Sequence, residues 1–272
     1  MVRSLWSAAS GMKAQQQAVD VISNNIANVN TVGYKTEKAE FKSLLYQTLQ
    51  TRTTTANGAQ KPISAQVGLG TRTASITSFY TQGAMLASES NTAFAINGDG
   101  FFQVADAQGN TYYTRSGDFT LSVEGEDQLA LVNAEGQYVC DTNGNRIILP
   151  ANVTDTNIYL SQSGQFGYMN DDGTLTDLNI QIGLWQFNNP SGLEKIGDSL
   201  LVPTDASGEP MNEATTPNIQ KSSMKQGYLE GSNVQVADEM VNLIIAQRAY
   251  ELNSKAITTS DEMLSEANDL KR

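Results

Sequence analysis

The sequence predicts an α+β fold in which paired amino- and carboxy-terminal coiled-coil helices enclose, along the chain, a central antiparallel β domain. Three observations predict it. Apolar or small residues recur at alternating steps of three and four at both ends. The interval falls to two through the middle, and Gly, Asn and Asp turns interrupt the middle at hairpin spacing.

The first stripe runs through Leu5, Ala8, Met12, Val19, Ile22, Ile26 and Val29, broken only by Gln15, and predicts a helix from about Ser4 to Ala27. Gly11 falls inside it, at a cost of about 1 kcal/mol relative to Ala, which suggests a close helix approach or a bend, with a neutral surface glycine as the alternative. The helix should fray in NNIANVNTVGYK, where asparagines compete for backbone hydrogen bonds and Gly33 supplies the permissive backbone that ends it. A short amphipathic segment, Phe41 to Leu49, leads into the polar TRTTTANGAQKP, with a turn signal at Asn57-Gly58 and a breaker at Pro62.

From about Val67 the strand candidates are AFAI, FFQVA, YYT, FTLSV, LALV, QYVC, RIIL, IYL, QFGYM and LNIQIGLWQF. An irregular stretch is expected near Asn188 to Ser223. The last helix opens after EGSN, where Ser232 and Gln235 have capping-box spacing and Asp238 and Glu239 complement the helix dipole. It carries two stripes, Val236, Met240, Leu243, Tyr250, Ile257 and Leu264 beside Val241, Ile245, Ala249, Leu252, Ala256 and Met263. The expected organisation is residues 1–32 first helix, 33–66 linker and extended segment, 67–227 β domain, and 228–272 last helix.

Two neighbouring stripes make a face broad enough for more than one partner helix. If the terminal helices paired only with each other, they would close an ordinary domain, but a long apolar stripe would remain exposed, and such stripes mark interfaces. Function is therefore read as assembly.

Composition narrows the rest. No run of eighteen apolar residues exists, which argues against direct membrane insertion. Polar residues interrupt the amino terminus at helical period, so no cleavable signal peptide is apparent. A net charge of -12 argues against nucleic acid, and Lys35, Lys38 and Lys42, interleaved with Glu37 and Glu40, read as a solvated face. The lone Cys140 reads as a small apolar residue at a strand end.

With no His and one Cys, most metal, proton-shuttle and nucleophile arrangements are missing, and the chain is read as not an enzyme, with no cofactor and no metal. Asp99, Asp118, Asp141, Asp171 and Asp172 sit where hairpin turns favour Asp. DTNGN starts like a calcium loop but has Arg146 where Gly is required and Asn152 where Glu is required. The Ser-x-x-Lys spacings at Ser10 and Ser222 lack companion motifs.

The opening MVRSLWSAASGMKAQQQAVDVISNNIANVNTVGYK and the closing EGSNVQVADEMVNLIIAQRAYELNSKAITTSDEML resemble the two terminal signatures of the bacterial flagellar rod and hook family. FAINGDGFFQV, GLEKIGDSLLVPTDASGEP and QGYLEGSNV extend the resemblance over nearly the whole chain. RSLW, the FKSLLYQTLQ segment with its extra stretch to about Gly70, and the short length place it nearest the distal-rod members. The resemblance implies a helical homopolymer forming a straight, hollow distal rod that joins proximal-rod and hook-side subunits and transmits torque. It implies delivery by the flagellar type III export apparatus, paired helices forming an inner tube with the β domain outside, and room for surrounding ring proteins. A hook protein or another rod paralogue is the alternative, and a cell-wall hydrolase a more distant one.

The expected assembly interface comprises Leu5, Met12, Val19, Ile22 and Ile26 with Val241, Ile245, Tyr250, Leu252, Ile257 and Leu264. Asn24, Asn25, Asn28, Gln247, Arg248 and Asn253 are expected to set polar register between subunits, with local capping or solvation as the alternative. The segment Gln47 to Gly70 is expected to pair its flanks as a hairpin and to act as a strap across neighbouring subunits that keeps the polymer straight.

Overall fold

The computed structural model describes residues 2–50, 65–125, 128–170, 174–217 and 219–270. The chain forms two compact units. Unit 1 comprises residues 1–27, 37–78 and 235–272, and unit 2 comprises 28–36 and 79–234.

Unit 1 is built on two helices, α1 (Val2–Ala27) and α2 (Val236–Asp269), which pack antiparallel. A long two-stranded ribbon lies against α1. In it β1 (Glu37–Ser43) pairs with β4 (Thr71–Ser78), and β2 (Tyr46–Gln50) with β3 (Ala65–Gly68). Backbone bonds from Leu44 to Gly70 and from Leu69 to Leu45 join the two pairs. The segment Phe41 to Leu49 is therefore strand on either side of a short break. Its residues follow neither a clean period of two nor of 3.6, because both faces of the ribbon beyond α1 are exposed and nothing selects a pattern. The outer ends of the expected strap pair, Tyr46–Gln50 with Ala65–Gly68, whereas its Thr-rich stretch and the Asn57-Gly58 turn lie outside the described residues.

Ribbon and helix are pinned by small polar residues. The Ser10 hydroxyl accepts from the Thr71 N–H at 3.2 Å, Thr73 donates to Gln17, and the Asn25 amide brackets Glu37, donating to its C=O at 2.8 Å and accepting from its N–H at 2.9 Å.

Unit 2 is antiparallel β. Its main sheet orders Ile148–Pro150, Gln128–Asn133, Tyr138–Val139, Phe101–Ala105, Thr111–Thr114, Leu200–Val202 and Glu194–Gly197. A three-stranded sheet, Ile158–Leu160, Gln165–Met169 and Leu175–Gln181, contributes Ile158, Leu160 and Phe166 to the same core as Phe94, Phe102, Val104 and Phe119 from the rest of the unit. A second cluster, Phe101, Tyr113, Phe187, Leu193 and Leu201, fills another face, with aromatic rings meeting edge-on. Cys140 is buried directly after a strand, and burial pushes its thiol up to about 11, which keeps it protonated and inert.

Four expectations need correction. The stretch near Asn188 to Ser223 contains a hairpin, Glu194–Gly197 with Leu200–Val202. Its turn residues Asp198 and Ser199 both take positive φ, as the tight hairpin turn demands, without the Asn-Gly signature that would have announced it. Helix α2 starts with Gln235 as its N-cap and no side-chain capping bond, while Ser232 accepts from the Val234 N–H instead. Gly33 lies six residues beyond the end of α1, so it does not terminate that helix. Lys35 is buried rather than part of a solvated face.

Candidate assembly interface

The closest approach of α1 and α2 is made by small and polar residues. Ser4 meets Ser260 hydroxyl to hydroxyl at 3.3 Å, a Cβ placed on Gly11 would sit 2.9 Å from the Asn253 side chain, and Asn25 donates to the Glu239 carboxylate at 3.3 Å. Each seven-residue step up α1 matches a seven-residue step down α2. The remaining layer of that register is Ala18 opposite Ala246, the latter buried. Gly11 is thus a site of close helix approach. Small side chains here let the helix axes come together, which moves bulkier residues to the flanks.

The bulky residues lie where that geometry puts them. Leu5, Met12, Val19, Ile22 and Ile26 are all half-buried on α1, and Ile257 and Leu264 are half-buried on α2. The other α2 residues face solvent, with Val241 56%, Ile245 61% and Leu252 68% exposed, and Met240, Ile244, Tyr250 and Met263 beside them. Among the described residues of unit 1, the fully buried apolar side chains are only Ala8, Ala14, Val21 and Ala246.

The expected polar residues divide. Asn25 is buried and holds Glu37 and Glu239, and Asn253 packs on Gly11. Asn24 is exposed, and Arg248 is exposed in an ion pair with Glu251 one turn along at 2.7 Å, a pair worth a few tenths of a kcal/mol at most. Asn28 belongs to unit 2 and accepts from the Thr31 hydroxyl in the turn after α1. Gln247 and Tyr250 line a shallow groove of about 450 Å³ with Gln16, Val19 and Glu251. Gly11 was singled out by its place inside a helix, whereas Ser4, Glu239, Ala246 and Ser260 lie outside the stripes, which follow the large apolar residues even where they include an alanine. Their strict spacing of seven was the available signal.

Unit 2 holds a buried charged cluster. Glu230, 1% exposed, takes Lys35 Nζ on one carboxylate oxygen at 2.7 Å and Arg115 Nε on the other at 2.6 Å. The Gly83 N–H adds a third bond at 2.9 Å. Burial works to raise the Glu230 carboxyl, but bonds from Arg115 and Lys35 outweigh it and hold the group below the usual carboxylate range. Burial lowers Lys35 despite its partner. Among the described residues, no three His, Cys, Asp or Glu are grouped to hold a metal, and no helix is long and apolar enough to cross a membrane.

Three family models match along the chain. They are the flagella basal body rod protein model over residues 5–35, the flagellar hook protein FlgE/F/G D1 domain over 95–168, and the flagellar basal body rod FlgEFG protein C-terminal model over 225–270. The flagellar basal-body rod protein FlgG of Borreliella burgdorferi is 42% identical over 274 residues, covering 100% of both chains. FlgG of Bacillus subtilis is 38% identical over 272 residues, again covering 100% of both. The flagellar hook-basal body complex protein FlhP of Bacillus subtilis is 32% identical over 284 residues, with 100% coverage of both.

Proposed function

Because this chain belongs to the flagellar basal-body rod protein family and is a structural subunit of the distal rod, not an enzyme, we propose that its helix pair is the polymerising element. In this reading α1 and α2 form a coiled coil whose small-residue seam is satisfied within one subunit. The exposed stripe through Val241, Ile245, Tyr250 and Leu252 then seats on helices of neighbouring copies, with the half-buried Leu5, Met12, Val19, Ile22, Ile26, Ile257 and Leu264 at its margins. Asn24, Gln247 and Arg248, which point outward, set register between copies.

The observation that carries this reading is the placement of the bulky apolar residues of α2 in solvent beside a seam already closed by small ones. A stripe of that length on a monomer is an aggregation hazard unless a partner covers it. A surface that meets a different surface on the next copy gives an open helical polymer. Such a polymer would meet proximal-rod subunits at one end and hook-side subunits at the other, transmit torque, and receive its subunits from the export apparatus.

Concentrated purified protein should form hollow, straight tubes in electron microscopy. Closed dimers as the only assembled species would overturn the proposal. We further infer that the paired ribbon β2 with β3 anchors the strap. Deleting residues 51–61 should leave folding intact and give tubes of visibly greater curvature, and tubes as straight as those of the full chain would rule the strap out.

A further inference from the structure

The chain passes between the two units at four places, after Ala27, Thr36, Ser78 and Val234. On the unit 2 side these passages are flanked by residues 28–36, 79–84 and 230–234, and all three segments are laced to one another. The Phe79 N–H donates to the Thr36 C=O at 2.9 Å, the Gly33 N–H to the Glu230 C=O at 2.8 Å, and the Gly231 N–H to the Ala84 C=O at 2.8 Å.

Two side chains bind all three segments together. Asn233 accepts from the N–H and the hydroxyl of Thr36, both at 2.7 Å, and its amide donates to the Phe79 C=O at 2.9 Å and to the Thr81 hydroxyl at 2.8 Å. Glu230 joins Lys35 to the Gly83 N–H, and Lys35 also donates to the Thr81 C=O at 2.8 Å. Arg115 then roots the cluster in the body of unit 2. Beyond its bond to Glu230 it donates to the Gly98 C=O at 2.6 Å and to the Gly100 C=O, and its guanidinium lies 5.7 Å from the Phe101 ring of the aromatic cluster. Gly33, at φ 70°, is required here, since a Cβ would lie 2.8 Å from the Ser116 nitrogen.

A short irregular segment has no ladder to hold it, and apolar packing is non-directional, so it resists separation better than sliding. Hydrogen bonds depend on angle, and buried charged ones resist reorientation in every direction. A fully paired buried cluster therefore suits a joint under twisting load better than it suits a reservoir of stability, where apolar residues of equal volume serve as well.

We propose that Glu230 and Asn233, with Lys35 and Arg115, are positioning residues of a mechanical clasp that fixes all four chain passages to the core of unit 2. Load arriving along any of the passages then reaches the core of unit 2 through one shared cluster and not through independent loose segments. Lys35 comes from NTVGYK, and Glu230 and Asn233 from EGSNV, the inner ends of the two terminal signatures, whereas Arg115 belongs to the central β region. The mechanical role rests on the rod-subunit reading, whereas the lacing can be measured on the monomer.

Hydrogen exchange of the full-length monomer tests it, comparing wild type with Glu230→Gln, Lys35→Met and Asn233→Ala. Asn233→Ala removes only neutral bonds at a half-buried position and guards against a Glu230→Gln protein that does not fold. Exchange should accelerate at least tenfold in residues 28–36, 79–84 and 228–234, with residues 101–105 and 128–133 unchanged. Lys35→Met should affect chiefly 28–36 and 79–84. Unchanged exchange in those segments, or acceleration spread evenly over unit 2, would overturn the clasp. Tubes of Asn233→Ala should bend more than wild-type tubes at equal length, and equal stiffness would overturn the mechanical role. Failure of the wild type to form tubes would refute the polymer reading and with it the mechanical role, while the exchange result still decides the lacing.

Discussion

Unit 2 seals Phe94, Phe102 and Phe166 away from water, while unit 1 leaves Val241, Ile245 and Leu252 more than half exposed and buries alanine, serine, asparagine and glutamate instead. Both units belong to one chain and have ample apolar residues, so composition does not separate them. The difference is where the large side chains fall relative to the closest backbone approach. In unit 2 the β strands alternate large residues inward against one another. In unit 1 the helices meet on their smallest residues and turn the large ones aside. A region arranged the first way is complete as a monomer, and one arranged the second way is completed by neighbours.

The largest expected effect comes from placing a charge on the exposed stripe. Ile245→Asp should raise the critical concentration for assembly at least about a hundredfold, since an unpaired buried charge costs about 3 kcal/mol or more per contact. Its monomer should melt as the wild type does, because Ile245 is solvent-exposed there. Sedimentation across a concentration series reads the first and thermal denaturation the second. Wild-type assembly by this variant would break the comparison at its centre.

Phe102→Ala should do the reverse, destabilising unit 2 by about 3–5 kcal/mol through lost burial and a cavity. Near-ultraviolet circular dichroism during denaturant unfolding should show the shift while the helical signal of unit 1 holds its midpoint. A common shift of both signals would mean that the units unfold as one. Gly11→Leu should weaken unit 1 alone, by about 1–3 kcal/mol, because the added side chain has no room against Asn253. An unchanged helical midpoint would show that the small-residue seam is looser than the geometry implies.

The smallest effect concerns pH. The carboxyl of Glu230 is lower in the folded chain than its ordinary value of 4.5, so the stability it contributes is fully present above 4.5 and is lost as pH falls through the folded value. Unit 2 should therefore soften in acid, below pH 4.5, and Glu230→Gln should flatten that part of the profile. A Glu230→Gln profile parallel to the wild type would assign the acid loss to other carboxylates.

Much was legible in the residues. The helices α1 and α2 follow from periodicity, and the unit 2 strands from Phe94 to Gln186 from alternation and turn chemistry, because both signals are local, whereas the short strands Met85–Ala87, Met211–Asn212, Ser223–Gln226 and Tyr228–Glu230 were not among the candidates. The family was legible at the two ends, and the comparisons agree with it. The hairpin at Glu194–Val202 was not, since Asp198 and Ser199 adopt a turn that Asn-Gly normally marks. Of the helix seam only Gly11 was legible, as a glycine inside a helix, while Ser4, Glu239 and Ser260 were not, because ranking residues by hydrophobicity discards the polar ones that allow helices to touch.

By itself, the sequence determined which segments are helical, the strands from Phe94 to Gln186, and which residues are apolar enough to seek burial. Only the tertiary structure decided which apolar residues find burial within the subunit, which face of each helix its partner takes, and that Lys35, Arg115 and Glu230 meet in one buried cluster. Periodicity is set by neighbours a few residues apart, whereas Lys35 and Glu230 are brought together by the closure of the whole β domain. A lysine in a run of mixed charge looks solvated until that closure supplies its carboxylate.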